Sequence, residues 1–491
     1  MAGTEAFIDS DLAAVFEMVP DPKTGKPKKK RLTTLFWGDS VRVTGKRDGF
    51  HVLDFTTREY DATKKHYVWR KHEALMSAKV KFRDTSVLKV RFVDVGQGDG
   101  AIIESPKGQI VVLDGGEEDN FYNYFTAAWA HKLRTNPVQL AAIVVSHGDA
   151  DHYSGLSRLV LGRGPKGGPP VATKRVYHNG LAKRPESAKQ QMLGKTAKVD
   201  GTTYVVGLED DLLGVTDKDL NKPFQEWKSA LQLLKKGTTG FKMRRLEYGS
   251  AKAFDFLDDE DIKVDVLGPI TEEVKGKPAL PMLRNPDGGG LSISHTINGH
   301  SVVLRLTYGH VRMLFGADLN EESEQRMLAR TRADGISLTS EVLKVPHHGS
   351  ADFSPAVLDA IRPVVSVVSS GDESGQKEYI HPRAGLVGAL GKYSRGTVDR
   401  PLVYVTEMVA FFQRLGRASV HGFSKTGEEL PKGQRVANAY SKSSFGIVHI
   451  RTDGERVLVA TPSGKFDKKE AYVFRVSENG EITFDEIPNV L

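Results

Sequence analysis

Between Val90 and Leu156 the chain reads VRFVDVGQGDGAIIESPKGQIVVLDGG and, after a helical interval, LAAIVVSHGDADHYSGL. Two apolar runs, Ile110 to Leu113 and Ala141 to Val145, have the length and composition of buried strands. Each stops at a polar loop, Asp114-Gly115-Gly116 after the first and Ser146-His147-Gly148-Asp149-Ala150-Asp151-His152 after the second. Four side chains able to ligate a metal, His147, Asp149, Asp151 and His152, therefore crowd the end of one strand. The strand makes the position rigid, and the loop can turn side chains inward. Imidazole combined with carboxylate suits divalent zinc, manganese or iron.

His147-x-Asp149-x-Asp151-His152 resembles the HxHxDH signature of the metallo-β-lactamase superfamily, with Asp149 in place of the second His. DVGQGDG (Asp94 to Gly100), SHGDADHYSG (Ser146 to Gly155) and LKVPHHGS (Leu343 to Ser350), in that order, resemble one branch of it. That branch is the soluble metallohydrolase domain of the ComEC DNA-uptake proteins and its free-standing relatives. The resemblance spans about Leu88 to Tyr393. It implies an αββα four-layer sandwich with the metal site at one edge of paired sheets, and Asp94 to Gly100 as support behind the metals.

The same resemblance implies a ligand set. His147 and Asp149 would hold one ion, Asp151, His152 and a late His the other, and Asp318 would bridge. His347 and His348 compete as the late ligand, the other being left for substrate, and His381 is a further candidate near the mouth. The superfamily usually has a His between the second motif and the bridging Asp. His295 and His300 lie in that interval outside any clear motif, and relatives in this branch tend to show Asn there, as Asn298 does here. The expected cofactors are two divalent ions, Zn or Mn. Exchanging imidazole for Asp149 hardens the site and tilts the choice towards manganese. Asp151, Asp318, His348 and Lys344 carry the expected catalytic roles, Lys344 by contacting a phosphate.

The rest of the chain sets limits. At 491 residues it exceeds one ordinary domain. Hydrophobic content of 39% with 27% charged residues is that of a soluble globular protein. No apolar run is long enough to span a membrane. The first residues lack the basic segment and apolar core of a signal peptide, so a cytoplasmic location is expected. With no Cys, disulfides and thiolate ligands are excluded.

Three regions are expected. Residues 1–87 form an N-terminal unit in which Leu35 to Phe55, turning at Gly45 to Gly49 and closed by Tyr67 to Trp69, resembles a small SH3-like β barrel able to bind a protein partner. Within it, Asp21 to Arg31 is read as a phosphate-contacting arm or a solvated loop. Residues 88–393 form the hydrolase domain, with an insertion at about 183–254 read as a lid or a surface decoration. Residues 394–491 form a β-rich extension, either a small domain or extra strands on the sandwich. The net charge of +7 favours an anionic partner such as DNA. The function expected is a metal-dependent phosphodiesterase or nuclease acting on DNA through a metal-activated water. A hydrolase of a small phosphoester or other ester, and a metal-stabilised binding protein, are the alternatives.

Overall fold

The computed structural model describes residues 3–61, 63, 66–164, 167–250, 252–286, 288–371, 381–395, 401–407, 411–419, 422–425, 436–444, 446–462, 470–484 and 486–491. Two sheets face each other. Among the described residues the first has ten strands, in the order Lys242–Arg245, Arg175–His178, Ala142–Val144, Ile110–Gly115, Gly100–Glu104, Leu88–Val93, Ile447–Thr452, Arg456–Ala460, Ala471–Val476, Ile482–Thr483. The second has six: Ile262–Gly268, Val303–Tyr308, Val311–Phe315, Val342–Lys344, Val365–Val368, Leu402–Val405.

Period-two side-chain alternation makes the layers. Val111 and Leu113 enter the core between the sheets with Leu304, Leu306, Met313 and Phe315. Their neighbours Ile110 and Val112 point the other way, against Phe121, Phe125, Leu156 and Trp227 of the helices Asn120–Ala128, Ala150–Leu161 and Lys222–Gly237. On the far side Val303, Leu314 and Leu343 pack on Met327, Leu358 and Leu390 of the helices Glu321–Ala333, Pro355–Ile361 and Ala384–Tyr393. The result is the expected order of helices, sheet, sheet, helices. Local signals place the helix starts: Asn221 accepts from Phe224 N at 3.0 Å, and Asn320 accepts from Ser323 N at 3.1 Å.

Strand pairing alters the expected regions. Of the two alternatives for the C-terminal extension, extra strands on the sandwich are found: Ile447–Thr452 pairs antiparallel with Leu88–Val93, and Leu402–Val405 pairs parallel with Val365–Val368, while Phe411–Ser419, Gly422–Lys425 and Val436–Ser444 form a sheet of their own. The sheets thus run across the boundary expected at 393. Within the insertion, Lys242–Arg245 pairs with Arg175–His178 as an outer strand of the first sheet, and Lys222–Gly237 is one of the covering helices. Leu88–Val93, in which apolar and basic residues alternate as in a strand with one buried face, is buried on both, because the N-terminal unit covers the other. Lys89 and Arg91 lie on that face and bind Glu104 at 2.8 and 2.9 Å.

Residues Thr4–Arg83 form a seven-stranded antiparallel sheet whose order begins with Pro27–Phe36. The hairpin turn sits at Asp48-Gly49, both with positive φ (48° and 78°), as a two-residue turn between Arg47 and Phe50 demands. Leu12, Phe36, Trp37 and Val87 pack on Leu458, Ala460 and Val473, and Arg456 grips Asp11 through two bonds of 2.8 and 2.9 Å, so the unit is joined to the sandwich. The basic segment divides: Asp21 to Lys26 is a largely exposed turn, as the solvated-loop reading expects, while Lys28, Lys29, Lys30 and Arg31 lie in the edge strand Pro27–Phe36. Lys30 pairs with Glu17 at 3.0 Å, and the Lys29 ammonium stands 4.7 Å from the ring centres of Phe16 and Phe50. A Lys-rich edge strand resists pairing with other chains.

Candidate metal centre

The parallel strands of both sheets end on one edge. There the backbone turns sharply: Asp114, Ala317, His347 and His348 all have φ between 44° and 55°, the left-handed region. Such residues cost about 1–3 kcal/mol each and persist only where their surroundings hold them. Ser146 N donates to Asp114 Oδ1 at 2.8 Å, and His347 N donates to Ala317 O at 2.9 Å. These ties aim the side chains at one point between the sheets.

His152, Asp151, Asp318 and His348 meet at that point. Asp318 Oδ2 lies 3.4 Å from His152 Nε2 and 3.1 Å from His348 Nε2, and Asp151 Oδ2 lies 3.5 Å from His348 Nε2. His147 approaches from the other side, its ring centre 4.0 Å from that of His152. His147, His152 and Asp318 can put one donor atom each within 4.8 Å of one another, and so can Asp151, His152 and His348. Nε2 of His147, His152 and His348 and Oδ1 of Asp318 are buried without a hydrogen-bond partner. Buried polar atoms are ordinarily satisfied. Three such imidazole nitrogens and a carboxylate converging on one point are the donors a divalent ion needs, so these residues fit a metal.

The opposite ring nitrogens are held, as metal-ligating imidazoles require. His152 Nδ1 donates to Asp114 Oδ2 at 2.9 Å, and His348 Nδ1 donates to Ser369 O at 3.0 Å with Asp99 Oδ1 at 3.3 Å. His147 Nδ1 faces the hydroxyls of Ser146 and Ser301 at 3.1 and 3.3 Å. The charges are coupled. Burial opposes protonation of His152 and His348, but the carboxylates of Asp318, Asp114, Asp151 and Asp99 around them outweigh it, and both pKa values stand well above the usual imidazole range. Burial, with the charge of His152 beside it, pushes His147 down to about 4. In the metal-free protein the surrounding carboxylates therefore favour the cationic form of His152 and His348, whereas ligating imidazole is neutral. Metal loading is expected to release protons, with affinity rising as pH rises. Calorimetry in buffers of different ionisation heat reads this directly, and no proton release would show the two imidazoles already neutral.

The remaining expected residues separate. His348, not His347, reaches the cluster. His347 Nε2 accepts from Asn298 Nδ2 at 3.2 Å, its ring 6.2 Å from those of both His348 and His381. His300 is tied to Pro281 O at 2.7 Å, and His295 Nδ1 lies 3.6 Å from Asp352, so neither joins the centre. Asp149 Oδ2 stays 3.8 Å from His147 Nε2, while its other oxygen binds the ammonium of Lys183. Lys344, expected at a substrate phosphate, is buried, with its ammonium on Asp99 Oδ2 and, at 3.0 Å, on Ala317 O; it positions Asp99 behind His348. The support expected of Asp94 to Gly100 is supplied by Asp99. Gly98, with φ +115°, lets that loop pass so close that a Cβ would stand 2.0 Å from Asp151 O. Sequence reasoning missed the roles of Asp114, Ser369 and Lys183. Asp114 alone had a signal, as a carboxylate closing a strand just before the metal-ligand motif.

The family model described as the metallo-beta-lactamase superfamily matches residues 93–371, more than half of the chain. The chain belongs to the metallo-beta-lactamase superfamily. Members of this superfamily are mostly metal-dependent hydrolases that bind divalent ions, often zinc, and the His/Asp clusters at the strand ends are groups that could hold one here. Among solved structures, Tm1679, described as a metal-dependent hydrolase of the beta-lactamase superfamily, is similar at 13% identity over 65% of this chain and 95% of that one, with a TM-score of 0.31. No curated protein matches. No helix among the described residues is long and apolar enough to cross a membrane.

Proposed function

We propose that this metallo-beta-lactamase-fold hydrolase is a phosphodiesterase of the ComEC-like branch that cleaves DNA, with manganese or zinc at the centre. The observation that carries the reading is the group His152, Asp318 and His348, buried with a donor atom each that lacks a hydrogen-bond partner, joined by the half-buried Asp151 and flanked by a lysine, Lys183. The net charge of +7 and the motifs DVGQGDG, SHGDADHYSG and LKVPHHGS support an anionic polymer as substrate.

A bound divalent ion supplies hydroxide near neutral pH and polarises a phosphoryl oxygen. The chain's own residues do the rest. Asp114, Ser369 and Asp99 fix the imidazoles of His152 and His348, so the ligands need not reorganise during the reaction. Burial lowers the pKa of His347, so its ring is neutral at pH 7. Because Asn298 Nδ2 donates to its Nε2, the proton sits on Nδ1, a buried donor without a partner in the protein, free to bind a substrate oxygen. That is the substrate role left to whichever His of the pair does not ligate.

Manganese- or zinc-supplemented turnover on linear DNA, plasmid, RNA and a generic phosphodiester tests the proposal. DNA cleavage is expected, and log affinity should fall linearly with log salt, by roughly 0.9 per duplex phosphate contacted. Because Lys28 to Arg31 belong to an edge strand with its own partners, the slope should come from cations elsewhere. Turnover of the generic phosphodiester without any DNA binding at low salt would transfer the reading to a small phosphoester.

A further inference from the structure

We propose that Lys183 is the resident cation of the first half-site: its ammonium occupies Asp149 where a second divalent ion would bind, so that the protein holds one ion tightly. The inference rests on the metal centre but not on DNA as substrate.

The second half-site is complete, with Asp151, His152, Asp318 and His348 within reach of one ion. The first has only His147 and Asp149 of its own. The interval that could add an imidazole adds none: His300 is bound to Pro281 O, His295 lies beside Asp352, and Asn298 turns its amide to His347. With the shared Asp318 that makes three protein ligands, one fewer than a closed four-coordinate site uses. Against that shortage stands a cation already in place. Lys183 Nζ binds Asp149 Oδ1, and the other carboxylate oxygen is the one that faces His147 Nε2.

The lysine is held there by its backbone. Asn221 N, at the cap of helix Lys222–Gly237, donates to Lys183 O at 3.0 Å, and Arg184 N donates to Met192 O at 2.7 Å. Upstream, Asn179 Oδ1 accepts from Leu181 N at 3.1 Å while its Nδ2 donates to His300 O at 3.0 Å. The segment lies directly over the ligand loop: a Cβ on Gly148 would stand 3.4 Å from Leu181 O. With side-chain exposures of 26% for Lys183 and 19% for Asp149, the pair is mostly withdrawn from water, yet part of the lysine side chain still meets solvent. A divalent ion on Asp149 would meet a like charge at contact distance, so the two cations compete. One fixed charge thus balances Asp149 and presents itself to an anionic substrate.

The test is metal counting on the full chain, dialysed, reloaded with Mn²⁺ alone and freed of excess by gel filtration. The parent and Lys183→Arg should retain one ion and give a mononuclear manganese spectrum. Lys183→Met and Lys183→Gln should retain a second, bound at least tenfold more tightly than any second ion in the parent, with an exchange-coupled spectrum. Two uncharged variants are used so that failure of one to fold, seen by circular dichroism, leaves the comparison intact. Two tight ions in the parent, or an unchanged count in the folded uncharged variant, would overturn the proposal. No ion in any of the proteins would overturn the centre itself, a different result.

Discussion

Asp318→Ala is expected to lower hydrolysis by about a thousandfold and to strip the reloaded protein of its ion, while the fold survives. Asp318 is the carboxylate shared by both rings of the cluster, 3.4 Å from His152 Nε2 and 3.1 Å from His348 Nε2. A metal's stabilisation of developing charge amounts to several kcal/mol, and each 1.36 kcal/mol is about tenfold in rate. The fold survives because Asp318 stands in a loop just past the strand Val311–Phe315, whose apolar residues remain in the core. Its loss leaves two imidazoles that can shed their protons rather than stay as unpaired buried charges. Turnover, metal content and near-ultraviolet circular dichroism read the three parts separately. Parent-like turnover with the ion retained would mean that Asp318 is not the shared ligand.

The largest stability effect is expected at Gly155. It lies inside helix Ala150–Leu161, where alanine would ordinarily stabilise by about 1 kcal/mol. Here the sign reverses. Gly155 N donates to Gly116 O at 2.7 Å, and the helix packs so closely on the Asp114-Gly115-Gly116 turn that a Cβ would stand 1.9 Å from Gly115 O. Backbone sits on both sides of the clash, so neither a rotamer change nor a flexible tip relieves it. Gly155→Ala should cost about 3 kcal/mol or more. It should also weaken metal retention, because the displaced turn carries Asp114, which holds His152. Gly385→Ala, in helix Ala384–Tyr393 with nothing near its Cβ position, is the control and should be neutral or slightly stabilising. Thermal unfolding of the two variants side by side checks this, and equal midpoints would show the helix free to move away from the turn.

What could be read from the sequence was what lies close together along it. Apolar runs such as Ile110 to Leu113 and Ala141 to Val145 identify themselves by composition, and the ligands after them identify the edge at which they end. The order of the motifs was enough for the layers. What could not be read depends on pairs distant in the chain. Ile447–Thr452 joins Leu88–Val93 across almost the whole sequence, and nothing local says which strand it will meet. Lys89 and Arg91 look like the solvent side of a half-buried strand until Glu104 and the N-terminal sheet cover them. Lys344 beside His347 and His348 reads as a phosphate contact, and only the approach of Asp99 turns it inward. His348 and His347 are indistinguishable as neighbours in sequence; Ser369 and Asn298, each from another segment, sort them. Lys183 gave no signal, because its partner Asp149 belongs to a different loop.

The central claim is that an ion sits among His152, Asp151, Asp318 and His348 at the ends of the parallel strands. Anomalous diffraction from crystals of the manganese-reloaded protein measures this directly. A strong peak is expected, bounded by Nε2 of His152 and His348 and by the carboxylates of Asp151 and Asp318. A protein that takes up manganese and shows its peak elsewhere, or shows none between these four side chains, would contradict it.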